Sequence, residues 1–206
     1  MRYVIISAAP ITQYEAIVQQ LKDDDFYIFC DGGLKHREKL GITPHLIVGD
    51  FDSHEKPRTN IETIALPREK DDTDTVYAVK EAIKRGADEI LLTGAIGARL
   101  DHTLGNLYIL LMLKEKGIKA SIIDDYSQME IVASEPAYIE NCKYFSLLAI
   151  DGAAHGVTIK NAKYPLEGAT ISPEYQYGIS NEVLCGKKAE VSVESGSLLL
   201  IKIFRE

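Results

Sequence analysis

Glu89-Ile90-Leu91-Leu92-Thr93 runs apolar into Gly94-Ala95-Ile96-Gly97, and from about Asp101 a helical pattern sets Leu104, Leu107, Tyr108 and Leu111 on one stripe. A short apolar run closed by glycine and followed by helical periodicity is a strand feeding a helix, the repeating unit of a parallel sheet. The alternation continues outward. Toward the N-terminus, Tyr3 to Ala8 reads as a strand, Ile11 to Leu21 as a helix and Phe26 to Cys30 as a strand. His45 to Val48 is a further apolar run, ending on Gly49-Asp50, and Thr73 to Arg85 is a helix with Val76, Val79 and Ile83 on one face. Lys119 to Ile123 closes the series. Strands alternating with helices predict an α/β domain whose mainly parallel sheet is covered on both faces.

The texture changes at Asp125. Met129 to Ala133, Tyr144 to Ile150, Val157 to Lys160, Ala189 to Val193 and Leu198 to Phe204 are short β-type runs punctuated by Gly, Pro, Asn and Asp. They predict a C-terminal all-β sandwich or barrel. Two domains are therefore expected, an α/β domain over 1–125 and a β domain over 126–206.

Composition narrows the function. The chain has 206 residues, 46% hydrophobic and 26% charged, values that exclude disordered and collagen-like chains. A net charge of −8, from 31 acidic against 23 basic residues, argues against a nucleic-acid partner. It leaves room for a nucleotide, whose phosphates can be carried by Mg²⁺ held on carboxylates. No apolar run approaches the roughly 20 residues of a membrane span, and the apolar start reads as a buried strand. Cys30, Cys142 and Cys185 are odd in number, far apart and outside any C-x-x-C pattern, so reduced thiols and a cytoplasmic location are expected.

The carboxylates fall where parallel sheets bind ligands, beyond the carboxyl ends of strands. Asp31 leads into Gly32-Gly33, Asp50 and Asp52 stand in Gly49-Asp50-Phe51-Asp52-Ser53, Asp71, Asp72 and Asp74 precede a helix, and Asp101 opens another. Each alone has a local explanation, because Asp caps helices and favours turns beside glycine. Asp50 and Asp52 fit that explanation poorly, since carboxylates one residue apart at a strand end repel and call for a cation. Oxygen ligands without a His or Cys pair point to Mg²⁺ rather than zinc. Lys70 and Arg99 lie among these carboxylates, as a polyphosphate or simple charge balance would require. The P-loop and G-x-G-x-x-G signatures are both missing.

In order and spacing, Asp31-Gly32-Gly33, Gly49-Asp50-Phe51-Asp52-Ser53, Lys70-Asp71-Asp72-Thr73-Asp74 and Gly97-Ala98-Arg99-Leu100-Asp101-His102 resemble the bacterial thiamine pyrophosphokinase family. Gly178-Ile179-Ser180-Asn181-Glu182 is similar to a stretch of that family's second domain. The resemblance implies transfer of the pyrophosphoryl group of ATP to thiamine, giving thiamine diphosphate and AMP. It also implies Mg²⁺ on Asp50, Asp52 and Asp74, with Asp31 and Asp71 nearby. The nucleotide region would take in Asp31, Gly32, Lys70, Arg99 and His102, and thiamine would meet Ser180 and Asn181. The catalytic set is then Asp71, Asp74, Asp101 and Arg99, with Asp71, Asp101 or a metal-bound carboxylate as base. A homodimer with shared active sites is implied as well.

Two other readings share these residues. In a haloacid-dehalogenase-like phosphatase, Asp50 would be the nucleophile of an Asp-x-Asp pair. A Mg-nucleotide sensor would use the carboxylates for binding without turnover.

Overall fold

A computed structural model of the protein describes residues 1–51 and 59–205. The chain divides into two compact units, Met1–Asp125 and Tyr126–Glu206. No helix among the described residues is long and apolar enough to cross a membrane.

The first unit is an α/β domain. Its strands are β1 (Arg2–Ile6), β2 (Phe26–Cys30), β3 (Leu46–Gly49), β4 (Glu62–Ala65), β5 (Glu89–Thr93) and β6 (Lys119–Ile123). They lie in the order β6-β5-β1-β2-β3-β4, and every neighbouring pair is parallel. Val4, Ile5 and Ile6 are all fully buried, which is why β1 reads as an unbroken apolar run and not as an alternation. The helices are α1 (Tyr14–Val18), α2 (Arg37–Leu40), α3 (Asp74–Lys84) and α4 (Leu100–Glu115), with a 3-10 segment at Asp31–His36. Ile17 and Leu40 pack with Val4, Ile6, Tyr27 and Phe29.

From β1 the chain builds outward through β2, β3 and β4, then crosses back to add β5 and β6 on the other side of β1. The reversal between β1 and β5 opens a crevice beyond their carboxyl ends. The loops diverging there are tied by Ser7 N–H to Thr93 O at 2.9 Å and Ala9 N–H to Gly94 O at 2.7 Å.

The helices depart from their sequence periodicity. The helix expected over Ile11–Leu21 is only Tyr14–Val18. Asp125 takes the N–H groups of Thr12 and Gln13 before it starts, and 3-10-type bonds from Gln20 and Leu21 tighten its end. Helix α4 buries Asn106, Ile109, Leu110 and Leu113, whereas Leu104 and Tyr108 of the expected stripe are 47% and 57% exposed. Apolar residues occur all around this helix, so periodicity selects no face.

The second unit is all β: β7 (Ser127–Val132), β8 (Ala137–Ile139), β9 (Tyr144–Ala149), β10 (Ala154–Lys160), β11 (Leu166–Ile171), β12 (Gly178–Asn181), β13 (Ala189–Ser192) and β14 (Leu198–Ile203). The order β12-β9-β14-β7 forms one antiparallel array and β11-β10-β13-β8 the other. Phe145, Leu147, Leu198 and Leu200 of the first share a core with Val157, Ile159, Ile171 and Val191 of the second, which makes a sandwich.

Candidate active site

Two strand ends and one helix start deliver three carboxylates to one place. Asp31 follows β2 directly and is 9% exposed. Asp50 follows β3, whose last residue is Gly49. A Cβ on Gly49 would stand 2.6 Å from the Asp31 Cβ, so a larger residue would push these strand ends apart. Thr73 caps α3, its Oγ1 accepting the Val76 N–H at 3.2 Å, which leaves Asp74 free of capping duty in the first turn. One carboxylate oxygen from each of Asp31, Asp50 and Asp74 lies within 4.8 Å of the others.

The Lys70 ammonium stands 2.5 Å from Asp50 Oδ2 and 2.9 Å from Asp74 Oδ1. Burial disfavours its charge, but the hydrogen bond to Asp50 and the ion pair with Asp74 outweigh that and hold its pKa above the ordinary lysine value. Hard oxygen donors converging at this spacing are chemically suited to Mg²⁺. Asp52, expected beside Asp50 as a metal ligand, lies outside the described residues.

The other candidates are spread around the same end of the sheet. Asp71 is exposed, and Asp72 pairs with Lys80 at 2.6 Å. Arg99 clamps Asp101 with two hydrogen bonds, Nε to Oδ1 at 2.9 Å and Nη2 to Oδ2 at 2.6 Å, on the exposed start of α4. The guanidinium holds the Asp101 carboxyl well below the usual carboxylate range. Neither Asp72 nor Asp101 is a helix cap, since Thr73 and Arg99 occupy those positions.

A cavity of about 660 Å³ takes in Asp31, Asp50 and Asp74, with Gly32, Arg99 and His102 on its wall. That volume accommodates a nucleotide-sized ligand. Gly94 turns the β5 loop away at φ +61°, and a Cβ there would collide with the Ser7 carbonyl oxygen.

Sequence reasoning missed the groups that shape this wall. Asn106 donates to Ala95 O at 2.8 Å from a buried position, and Thr103 Oγ1 accepts the Gly97 N–H at 3.0 Å. Together they fasten the loop before α4. A Thr and an Asn three residues apart at the start of a mainly apolar helix was the available signal. Ser7 and Thr75 share a buried hydrogen bond of 2.8 Å and line the cavity with Cys30. Burial pushes that thiol up to about 12, so it is a neutral group on the cavity floor.

In the second unit Ser180 adopts φ +58° and its N–H donates to Ser146 Oγ at 3.0 Å. Asn181 is buried. Its Oδ1 accepts from Tyr164 N–H and Glu182 N–H, and its Nδ2 donates to Tyr164 O at 2.7 Å. Tyr175 and Tyr177 of the same unit pack ring to ring at 5.1 Å and are exposed.

Carboxylates beyond the carboxyl ends of parallel strands, in a cavity that takes in the loops of the sheet's topological switch point, are the equipment of a transferase that handles phosphate groups. Comparison with known proteins makes the class specific. Residues 17–122 match the description "Thiamin pyrophosphokinase, catalytic domain", and residues 130–198 match "Thiamin pyrophosphokinase, vitamin B1 binding domain". The thiamine pyrophosphokinase of Bacillus subtilis is 29% identical, over 96% of both chains. A crystal structure of the Bacillus subtilis thiamine pyrophosphokinase superposes with TM-score 0.88 at 26% identity, covering 100% of each chain. That of Geobacillus thermodenitrificans superposes with TM-score 0.84 at 25% identity, covering 98% of this chain and 97% of the other. The chain belongs to the thiamin pyrophosphokinase family, and the activity of that family is that of a thiamine diphosphokinase. This membership decides against the phosphatase and sensor readings.

Proposed function

We propose that the cavity of the first unit binds Mg-ATP and that the chain transfers its pyrophosphoryl group to the hydroxyethyl oxygen of thiamine. The observation that carries this reading is the convergence of Asp31, Asp50 and Asp74 on one point beside Lys70. In the reaction the hydroxyl oxygen forms a bond to the β-phosphorus of ATP, and the bond from that phosphorus to the α,β-bridging oxygen breaks. The electron pair leaves with AMP, and the hydroxyl proton passes to a base.

Asp50, Asp52 and Asp74 would hold Mg²⁺, with Asp31 beside them; the ion would neutralise charge on the phosphate oxygens. Lys70 would move from its carboxylates onto phosphate as substrate enters, because a phosphate group offers the same charge-assisted bond. Arg99 would do likewise from the cavity rim, with Gly32 and His102 contributing to the nucleotide wall. Asp71 and Asp101 are the available carboxylates for the proton. Base catalysis adds only about 10²–10⁴ to the rate, so positioning and charge stabilisation carry more of the acceleration.

For thiamine we assign Ser180 as a direct contact and Asn181 as the residue that positions it, since the Asn181 amide already serves the backbone of Tyr164 and Glu182. A cytoplasmic homodimer with shared active sites completes the proposal.

The test is purified protein with Mg-ATP and thiamine, products identified by mass. AMP with thiamine diphosphate is expected, dependent on Mg²⁺ and reduced at least a hundredfold in Asp50→Asn and Asp74→Asn. Release of inorganic phosphate without need of thiamine would reject it.

A further inference from the structure

Among the described residues, Lys35 and Arg99 line the acidic cavity and Lys70 bridges two of its carboxylates, and the three differ in how their charge is met. Lys70 is shared by Asp50 and Asp74, and Arg99 is clamped by Asp101. Lys35 is different. It lies on the 3-10 segment Asp31–His36 and lines the cavity, and its Nζ donates to the carbonyl oxygen of Ala8 at 2.5 Å. Among the described residues no carboxylate lies within ion-pairing distance of it.

The position is defined by more than one bond. Beside it, His36 is buried, bonds Ala9 O through Nε2 at 2.9 Å and meets the Tyr14 hydroxyl through Nδ1 at 2.8 Å. Consecutive residues of the segment therefore grip consecutive carbonyls of the loop after β1, and the lysine is carried to the cavity wall on a braced backbone. A carbonyl dipole offsets a full positive charge only in part, and it occupies one of three ammonium donors. The remaining charge and donors border the cavity.

We infer that Lys35 is a further substrate-binding residue, contacting the polyphosphate of the nucleotide. The assignment rests on the Mg-ATP reading above and extends it to a residue that none of the motifs contains. The carboxylates lining the same cavity account for why a cation without a carboxylate partner is useful here. They attract metal but repel phosphate, and a lysine on the cavity wall restores attraction for the anionic part of the complex.

The experiment measures binding of Mg-ATP and of adenosine to the full chain by calorimetry, for wild type, Lys35→Met, Lys35→Arg and Lys39→Met. Lys39→Met removes the same unit charge from α2, where that lysine lies over the Tyr14 ring. Lys35→Met is expected to weaken Mg-ATP about tenfold, the scale of one charge-assisted hydrogen bond, with adenosine unchanged. Lys35→Arg is expected to recover most of the loss, and Lys39→Met to bind as wild type does. Equal weakening of Mg-ATP and adenosine in Lys35→Met would show that Lys35 only braces the Ala8 loop and would overturn the inference, as would unchanged Mg-ATP binding. If the wild-type chain binds Mg-ATP but forms no thiamine diphosphate, the proposed reaction fails, and the same binding ratios still decide the role of Lys35.

Discussion

Lys70 and Asp50 meet at 2.5 Å beyond the carboxyl edge of the parallel sheet, and the same ammonium reaches Asp74 at 2.9 Å. Among the described residues, Lys70 is thus the cation that bridges two members of the three-carboxylate cluster. Lys70→Met should lower the unfolding free energy of the metal-free protein by about 1–2 kcal/mol at neutral pH, and added Mg²⁺ should narrow that gap. Because the folded pKa of Lys70 is raised, its contribution is complete below the unfolded value near 10.5 and is lost as pH climbs through the folded one. Urea unfolding of both proteins, with and without Mg²⁺, measures the difference; equal stability in metal-free buffer would contradict it.

Cys30 provides a second pH signature. Its thiol is buried and pushed up to about 12 from 9.0, so the native state keeps it protonated after an unfolded chain would have ionised it. Stability from this group is therefore complete below about pH 9 and falls above it by up to about 1.4 kcal/mol per pH unit. Cys30→Ser should flatten that part of the curve in reduced protein. Iodoacetamide at mildly alkaline pH should label the exposed Cys185 and leave Cys30 unmodified, as peptide mass mapping would report.

Asp101 is held below the usual carboxylate range by the Arg99 guanidinium, so it stays ionised in mild acid. Its own protonation then falls below the acid limb of the activity profile. Asp101→Asn should lower kcat without moving the midpoint of that limb. A displaced midpoint in the kcat/KM profile would show instead that Asp101 titrates within it.

Ser180 and Asn181 should separate by readout. Asn181→Ala removes an amide that satisfies three backbone groups and should cost about 2–3 kcal/mol of stability, seen as a lower Tm. Ser180→Ala should leave Tm within a degree or two and raise KM for thiamine. If the two variants behave alike in both measurements, the division of labour between them is wrong.

Much of this architecture was legible because its signals are local. Strands buried on both faces are unbroken apolar runs, so β1, β2, β3 and β5 stood out in the chain. Strand β4 did not, because Glu62–Ala65 is partly exposed and carries no such run. Strands β8, β11 and β12 were missed for the same reason, being partly exposed and without an unbroken apolar run. The buried face of α4 was illegible, since a helix apolar on all sides gives no phase; Leu100, Leu104 and Tyr108 face outward, and Asn106 faces in.

The candidate site divides along the same line. That Asp31 and Asp50 follow strands, and that Asp74 opens a helix, are facts of neighbouring residues, and the sequence by itself determined them along with the α/β-then-β order of the chain. Which carboxylates converge, that Lys70 bridges Asp50 to Asp74, that Arg99 spends its fork on Asp101 and that Lys35 is carried to the cavity wall were decided only by the tertiary structure. The order of the strands sets these distances, and β5 returns to pair with β1 across a separation of more than eighty residues. Local patterning encodes which groups stand at an element's end; only the packing of the whole sheet brings those ends within reach of one another.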